Sequence, residues 1–349
     1  MDIYIELLKS LVSVPSLSQN EEEAAGVIRQ FLIDSKVKFD SKANNTWVRN
    51  RNWRDGLPVI LLNSHIDTVR PASGYTRDPY SPDVENGVLY GLGSNDAGGS
   101  LVTLLAVFMH FNLVENLAFN LIYSATAEEE ISGTNGLASI LSDLGPITLA
   151  IVGEPTRMQM AIAEKGLMVL DCMAHGKSGH AAREEGENAI YKAMGDIEKI
   201  RNFKFEKVSP ILGSVKTTVT MINAGTQHNV IPDICSFVID VRTNEYYSNQ
   251  QAWEILDQLI ESDVKPRSIR LNSSGIPVDH PIVQRGISLG LNYYGSPTTS
   301  DQAVIPYPSI KIGPGDSARS HTADEYISIS EIEEGFRIYI DLLTSLKLA

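Results

Sequence analysis

The chain has 349 residues, enough for two domains with a sizeable core. Apolar residues make up 43% and charged residues 21%, which is ordinary for a globular protein. The formal net charge of −14 argues against nucleic acid or an anionic membrane surface as the main partner, because both would repel the chain. Two cysteines without a CxxC spacing favour a reducing compartment, where both would pack as small apolar side chains.

Two helices are predicted at the start of the chain, over residues 2–12 and 21–35, with Asn20 as the cap of the second. Residues 1–11 form an amphipathic pattern but lack the basic start and long apolar stretch of a secretory signal. No apolar run reaches the roughly 20 residues of a transmembrane helix. We therefore expect a cytoplasmic protein without a membrane partner.

Predicted strands and helices then alternate as far as residue 164. Short continuous apolar runs predict buried strands, and longer runs predict helices. The predicted strands cover residues 57–63, 88–90, 117–126 and 147–152, and the predicted helices cover 97–111 and 137–141. This alternation predicts an α/β fold, an open and mostly parallel sheet with helices on both faces.

The pattern changes after residue 164. Predicted elements follow in the order strand, helix, strand, strand, helix, strand, over residues 166–174, 187–201, 215–222, 237–242, 250–262 and 268–271. That order is typical of a ferredoxin-like α+β unit. The first style then resumes with a helix over 282–293, a strand over 309–312 and a helix over 329–346. We therefore predict a main domain built from residues 1–164 and 276–349, with residues 165–275 inserted as a second domain.

Acids and a histidine follow three of the predicted buried strands. His65 follows the first, Glu128, Glu129 and Glu130 follow the strand that ends at 126, and Glu154 follows the strand that ends at 152. Ligands of open α/β sheets bind beyond the carboxyl ends of the strands, so these side chains are expected at one edge. Three adjacent carboxylates near an apolar core repel one another unless a cation neutralises them.

Asp96 and His321 extend this set, although alone they would be an ordinary helix N-cap and a loop histidine. Together, two histidines and several acids at one sheet edge indicate divalent metal. Two Zn²⁺ ions would be balanced by one bound hydroxide and three carboxylates, those of Asp96, Glu130 and Glu154.

Two acids near these ligands are then left over. Glu129 is available as a general base beside a metal-bound water. Asp67, two residues after His65, is placed to orient that imidazole through its far nitrogen. The residues therefore predict both a metal centre and the groups that would use it.

The motifs around these residues resemble those of the M20 family of metallohydrolases, in particular the acetylornithine deacetylase and succinyl-diaminopimelate desuccinylase group. The matching segments, in the family's order, are residues 64–69, 91–96, 126–130, 152–156, 176–180 and 321–326. The resemblance covers essentially the whole chain. It implies a zinc-exopeptidase-like fold for the main, catalytic domain, and an inserted domain that acts as a lid and forms a homodimer.

Residue by residue, the resemblance implies that His65, Asp96 and Glu154 bind one metal ion. Asp96 would bridge to a second ion, held also by Glu130 and His321. The ions would be Zn²⁺, for which Co²⁺ can substitute. The resemblance also implies a cis peptide bond between Asp96 and the next residue.

The same resemblance makes Glu129 the catalytic base and Asp67 the orienting acid. In the inserted domain, His180 would reach the partner subunit's active site and polarise the scissile carbonyl. Asn229 and Arg242 would hold the substrate, and residues 299–301 resemble a substrate-side loop. Taken alone, His180 is equally a surface-loop histidine, and Arg242 a strand-face arginine.

The implied function is removal of the acyl group from a small N-acyl amino acid, first of all N-acetyl- or N-succinylornithine, as in arginine biosynthesis. Glu164 stands in a stretch expected to be Arg-rich in the desuccinylases, and an acid there favours a cationic side chain. N-acetylcitrulline, succinyl-diaminopimelate and dipeptides remain alternative substrates, and a catalytically silent binding protein remains an alternative class. A calcium-binding module is disfavoured, because the chain has no D-x-D-x-D-G loop.

Overall fold

The computed structural model describes residues 1–348. Within them the α-helices are α1 Asp2–Val12, α2 Glu22–Asp34, α3 Gly99–Asn112, α4 Leu137–Leu144, α5 Ala189–Asn202, α6 Asn249–Leu259, α7 Pro281–Ser288 and α8 Ile329–Leu343. The strands are β1 Asp40–Lys42, β2 Asn45–Arg49, β3 Val59–His65, β4 Val84–Glu85, β5 Val88–Tyr90, β6 Asn120–Thr126, β7 Leu149–Val152, β8 Met160–Glu164, β9 Met168–His175, β10 Gly179–His180, β11 Lys216–Ala224, β12 Val230–Ile231, β13 Ile234–Arg242, β14 Asp263–Pro266, β15 Ser274–Gly275, β16 Tyr293–Ser296, β17 Ser309–Lys311 and β18 Tyr326–Ser328. No helix in this part of the chain is long and apolar enough to cross a membrane.

The main sheet has the strand order β1-β2-β6-β3-β7-β17-β8-β15, with β16 beside β8. Its centre, β6-β3-β7-β17, is parallel. Antiparallel strands flank this centre, β1 and β2 on one side and β8 on the other. The predicted α/β class is confirmed, and three of the parallel strands, β3, β6 and β7, end at or shortly before candidate ligands.

Helices cover both faces of this sheet. Neighbouring residues of a strand point to opposite faces, so each strand contributes side chains to the packing on both sides. On β6, the ring of Tyr123 lies 6.2 Å from that of Phe108 on α3. The next residue back, Ile122, instead belongs to a core that includes Leu137 and Ile140 of α4. Helix α3 is buried along most of its length, since α1 and α8 pack against it.

The chain divides into two compact units, the first comprising residues 1–162, 275–294 and 300–348, and the second residues 163–274 and 295–299. The second unit contains an antiparallel sheet of order β11-β13-β9-β14. Helices α5 and α6 contribute to its core, in which Cys172 and Cys235 are buried as free thiols. Its elements follow the order strand, helix, strand, strand, helix, strand, with the short β10 and β12 forming a separate pair.

Several predicted elements differ from the structure. The last strand of the second unit is Asp263–Pro266, so the strand predicted over residues 268–271 is wrong. The structure accepts Pro266 because β14 is an edge strand, where a missing N–H leaves no neighbour unpaired. The helix predicted over 282–293 ends at Ser288, since Gly290 adopts a φ of 84° and residues 293–296 form a strand.

The prediction also failed at the start of α2 and for several short strands. Asn20 does not cap α2; Glu21 occupies the N-cap position, and no side chain caps the helix there. Among the strands that were not predicted at all are β1, β2 and β8 of the main sheet. They lie outside the parallel centre of the sheet, and only pairing with their neighbours defines them.

Candidate metal centre

The sheet brings the predicted ligands to one edge. Strand β3 ends at His65, which pairs in register with Thr126, the last residue of β6. Strand β7 lies on the other side of β3 and ends two residues before Glu154. The carboxyl ends of three adjacent parallel strands therefore place His65, the acidic turn (residues 127–130) and Glu154 together, as the sequence predicted.

Asp96 reaches this edge on a distorted turn. Ser94–Gly98 form a π-type turn in which Asp96 and Ala97 have non-helical backbone angles, and the peptide bond between them is cis. Helix α3 begins at Gly99, so the predicted helix start at Ala97 is wrong, whereas the cis bond implied by the resemblance is present.

Glu325 holds this turn, a role that the sequence did not predict. Its side chain is buried, and its Oε1 accepts hydrogen bonds of 2.9 Å from the backbone N–H groups of Asn95 and Asp96. Its Oε2 accepts a third, of 3.1 Å, from the N–H of Gly93. The signal that could have found Glu325 is its place in the motif at residues 321–326.

Asp96 faces a different histidine with each of its oxygens. His65 Nε2 lies 3.4 Å from Asp96 Oδ1 and 3.8 Å from Glu154 Oε1. His321 Nε2 lies 3.6 Å from Asp96 Oδ2 and 3.0 Å from Glu130 Oε2. The five predicted ligands therefore form one cluster with Asp96 at its middle.

The spacing of these atoms suits a cation. Two ligands of a tetrahedral Zn²⁺, each at about 2.0–2.1 Å from the ion, lie about 3.3 Å apart. Separations of 3.4 and 3.8 Å around His65 Nε2 are near this value but too long for strong hydrogen bonds. Consistently, His65 Nε2 is buried and has no hydrogen-bond partner among the described residues.

Two overlapping groups of side chains could each surround an ion. One consists of His65, Asp96 and Glu130, and the other of His65, Glu129 and Glu154, with all potential ligand atoms of a group within 4.8 Å of one another. Glu129 lies 4.0 Å from His65 Nε2, farther than Asp96 or Glu154. The donor set of imidazoles and carboxylates fits a divalent transition metal.

The electrostatics of the cluster also favour a cation. Burial, and then repulsion from Asp96, raises the pKa of Glu154 to about 8. The hydrogen bond to Glu130 raises the pKa of His321 to about 9. Burial opposes protonation of His65, but its contacts with Asp67 and Asp96 raise its pKa well above the usual value. The raised pKa values of these carboxyl and imidazole groups show an excess of negative charge in the cluster, which a bound cation would neutralise.

Asp67 connects the imidazole of His65 with the acidic turn. His65 Nδ1 lies 2.9 Å from the backbone oxygen of Asp67 and 3.4 Å from its Oδ1. The Asp67 carboxylate also accepts hydrogen bonds from Ser18 Oγ and from the N–H groups of Glu129 and Glu130. Burial opposes ionisation of Asp67, but its interaction with His65 lowers its pKa.

The three predicted substrate residues lie in the second unit, at two separate places. His180 and Asn229 are exposed neighbours, because β10 pairs with β12. Arg242 is the last residue of β13, whose other end pairs with the end of β9 that leads to His180. The two ends of β13, Ile234 and Arg242, lie about 26 Å apart. The Arg242 guanidinium makes a two-bond ion pair with Asp240, at 2.8 and 3.0 Å.

Glu164 and a large cavity bear on where a substrate binds. Glu164 is completely buried, so the structure does not present it to a substrate amine as its place in the sequence suggested.

A cavity of about 980 Å³ lies at the amino edge of the main sheet, lined by residues that include Tyr4, Arg51 and Leu113. None of the candidate ligands lines it, so the chemistry is located by the cluster and not by cavity size.

The fold and this cluster together define a metal-dependent amidohydrolase. The chain belongs to peptidase family M20/M25/M40, whose model matches residues 61–345.

Curated relatives resemble the chain over nearly its whole length. A succinyl-diaminopimelate desuccinylase of Wolbachia pipientis is 25% identical, over 97% of this chain and 92% of the relative. A LysW-lysine/LysW-ornithine hydrolase of Sulfurisphaera tokodaii is 28% identical over 98% and 95%. An acetylornithine deacetylase of Buchnera aphidicola is 25% identical over 97% of each.

Solved structures share the fold at lower identity. Aminopeptidase PepT from Bacillus cereus superimposes with a TM-score of 0.79 at 17% identity, covering 98% of this chain and 97% of that one. The Bacillus subtilis YXEP protein, described as a dinuclear metal-binding peptidase of the M20 family, has a TM-score of 0.76 at 17% identity, with coverage of 99% and 98%.

Proposed function

We propose that the protein hydrolyses the acyl amide bond of an N-acylated diamino acid, first of all N-acetyl- or N-succinylornithine. The names of the curated relatives support this substrate class. They refer to succinyl-diaminopimelate, to acetylornithine and to lysine or ornithine linked to LysW. Diaminopimelate, ornithine and lysine all carry a second amino group.

The position of Asp96 between two histidines carries the proposal of a two-metal centre. One ion would be bound by His65, Glu154 and Asp96 Oδ1, and the other by Glu130, His321 and Asp96 Oδ2. Zn²⁺ suits this set, because its protein ligands are imidazoles and carboxylates in tetrahedral arrangement.

Within this assignment Glu129 is not a metal ligand and is free to act as the general base. Bound ions would lower the pKa of the attacking water and polarise the scissile carbonyl. Glu129, which lies farther from His65 Nε2 than Asp96 or Glu154 does, takes a proton from that water and passes it to the leaving amine. Asp67 fixes the base by binding the backbone N–H of Glu129 at 3.0 Å.

The second unit supports a homodimer. Arg242 lies at one end of β13, about 26 Å from Ile234 at the other end, and Ile234 pairs with the end of β9 that leads to His180. This arrangement favours a substrate site that Arg242 shares with His180 of a partner subunit. The edge strand β11 also exposes Met221 and Ile222, at 54% and 50%. Apolar side chains on an unpaired edge favour association with a second copy.

A kinetic panel tests the substrate. It comprises N-acetylornithine, N-succinylornithine, N-acetylcitrulline, succinyl-diaminopimelate and dipeptides, each measured with protein reconstituted with Zn²⁺ or Co²⁺. We expect the highest kcat/KM for an acylornithine, and activity lost to a chelator should return with either metal. A preference for dipeptides would refute the substrate class, and two bound ions without any hydrolysis would refute the enzyme.

Replacing the base tests the mechanism. Glu129→Gln should lower kcat by about 10²–10⁴-fold, the usual contribution of a general base, while metal content stays near two ions per subunit. Glu85→Gln is the matched control, because Glu85 is an exposed acid paired with Arg77. A Glu129→Gln protein with the rate of the control would show that Glu129 is not the base.

A further inference from the structure

Four consecutive backbone N–H groups of the acidic turn donate to side chains from distant parts of the chain. The bonds are Ala127 to Asn45 Oδ1 at 3.0 Å, Glu128 to Glu21 Oε1 at 3.3 Å, Glu129 to Asp67 Oδ1 at 3.0 Å and Glu130 to Asp67 Oδ2 at 3.1 Å. The turn lies beyond the end of β6, so ladder pairing does not hold these groups. Side chains therefore determine the path of the backbone that carries the proposed base.

Glu21 is the charged member of this set that the proposed mechanism does not use. It is only 1% exposed, although an isolated acid in a loop is normally at the surface. Its Oε1 also accepts a bond from the N–H of Gln19, and its Oε2 accepts one of 2.8 Å from Asn44 Nδ2. Both carboxylate oxygens are thus engaged, and they join the loop before α2 and the β1–β2 turn to the acidic turn.

The backbone at the bond to Glu21 is one that needs support. Glu128 has a φ of 56°, in the left-handed region that side chains other than glycine rarely adopt. Such a conformation persists only where its surroundings hold it. Glu21 accepts a hydrogen bond from the backbone N–H of Glu128 itself, and Asp67 accepts one from the N–H of the next residue, Glu129.

We propose that Glu21 is a positioning residue for Glu129, an inference that rests on the proposed role of Glu129 as the base. Within residues 1–348 no hydrogen bond joins Glu21 to a candidate ligand side chain; Glu21 acts by holding the left-handed turn at Glu128. Without that bond the turn relaxes and the Glu129 carboxylate moves away from the attacking water. A displacement of about 1 Å is enough to reduce turnover by about 100-fold.

Three substitutions separate length from charge at this position. Glu21→Gln keeps the length and an acceptor oxygen, whereas Glu21→Asp keeps the charge but is one methylene too short to reach the Glu128 N–H. Glu21→Ala loses both. We expect kcat to follow the order wild type, Gln, then Asp and Ala, with the last two lower by about 10- to 100-fold. KM should stay within about threefold, and metal content near two ions per subunit.

Asn50→Ala is the matched control. Asn50 is also buried, and its Oδ1 accepts a 2.9 Å bond from the N–H of Leu121, at the opposite end of the same strand. It should lower thermal stability while kcat stays within twofold of wild type. If Glu21→Ala does not fold, comparison of the Asp and Gln variants still tests the proposal. Asp is a favoured N-cap residue, so Glu21→Asp should keep the start of α2 intact.

Hydrogen exchange of the metal-free proteins gives a second readout that does not depend on activity. Peptides covering residues 127–133 should exchange faster in Glu21→Asp than in wild type or Asn50→Ala. Wild-type kcat for Glu21→Asp, a higher kcat for Asp than for Gln, or loss of metal that accounts for the loss of rate would each overturn the proposal. These results differ from failure of the base itself, which an active Glu129→Gln protein would show.

Discussion

Replacing Glu325 with alanine would leave the N–H groups of Gly93, Asn95 and Asp96 without their carboxylate acceptor, at a residue that is only 1% exposed. A buried donor left unsatisfied costs about 1–3 kcal/mol. Water entering the vacated space would satisfy part of this need. We therefore take the lower end for each donor and expect a loss of about 3 kcal/mol in the free energy of unfolding.

The same change should weaken metal binding, because the Asp96 turn carries the proposed bridging ligand. Loss of a group that orients a metal ligand typically reduces metal affinity by about 10- to 100-fold. Thermal denaturation of the metal-free proteins measures the first effect, where about 3 kcal/mol corresponds to a fall of roughly 4 °C in Tm for a chain of 349 residues. Competition for Zn²⁺ with a chromophoric chelator measures the second.

Asp196→Ala provides the comparison. Asp196 is a buried carboxylate of the second unit that accepts bonds from the consecutive N–H groups of Glu261 and Ser262, the shortest of them 2.8 Å. Its loss should lower the Tm while Zn²⁺ affinity stays within twofold of wild type. If Glu325→Ala bound Zn²⁺ as tightly as Asp196→Ala does, the link between Glu325 and the Asp96 turn would be refuted.

Two further predictions concern the second unit. Burial opposes ionisation of Asp196, but bonds from Ser262 and Glu261 lower its pKa, so its stabilising contribution is complete above the unfolded value of about 3.8 and is lost as the pH falls through the lower folded pKa. Urea denaturation of Asp196→Asn should therefore show a weaker loss of stability on acidification than wild type, and parallel curves would contradict this. Met221→Asp, which puts a charge on the exposed edge of β11, should convert the proposed dimer to monomers in sedimentation velocity. A wild-type protein that already sediments as a monomer would refute the dimer.

The main sheet and the gathering of the candidate ligands were predictable from local patterns. Apolar runs that end in His65 or just before the acidic turn and Glu154 identify buried parallel strands with chemistry at their carboxyl ends. Parallel strands place those ends side by side, so proximity follows from strand direction alone. Strand direction alone does not place Asp96 and His321, because neither follows a buried strand directly; they joined the set as further residues of the type that binds metal.

The surroundings of the cluster were not predictable in this way. The bond from Glu128 to Glu21 spans 107 positions, and the bond from Asp96 to Glu325 spans 229. No local periodicity marks such pairs. Likewise, the complete burial of Glu164 becomes visible only when the second unit is folded.

The amino-acid sequence by itself determined which strands are buried, where each ends and which acids and imidazoles stand at those ends, because these properties depend on neighbours along the chain. The tertiary structure decided which distant side chains accept the backbone N–H groups of the turns between them. The backbone N–H groups of a turn that leaves a sheet need hydrogen-bond acceptors outside the strand ladder. In the folded chain these acceptors are carboxylates and amides of segments that are distant in the sequence. Thus Glu21 and Glu325, ordinary acids in the sequence, hold in the folded protein the two turns that carry Glu129 and Asp96.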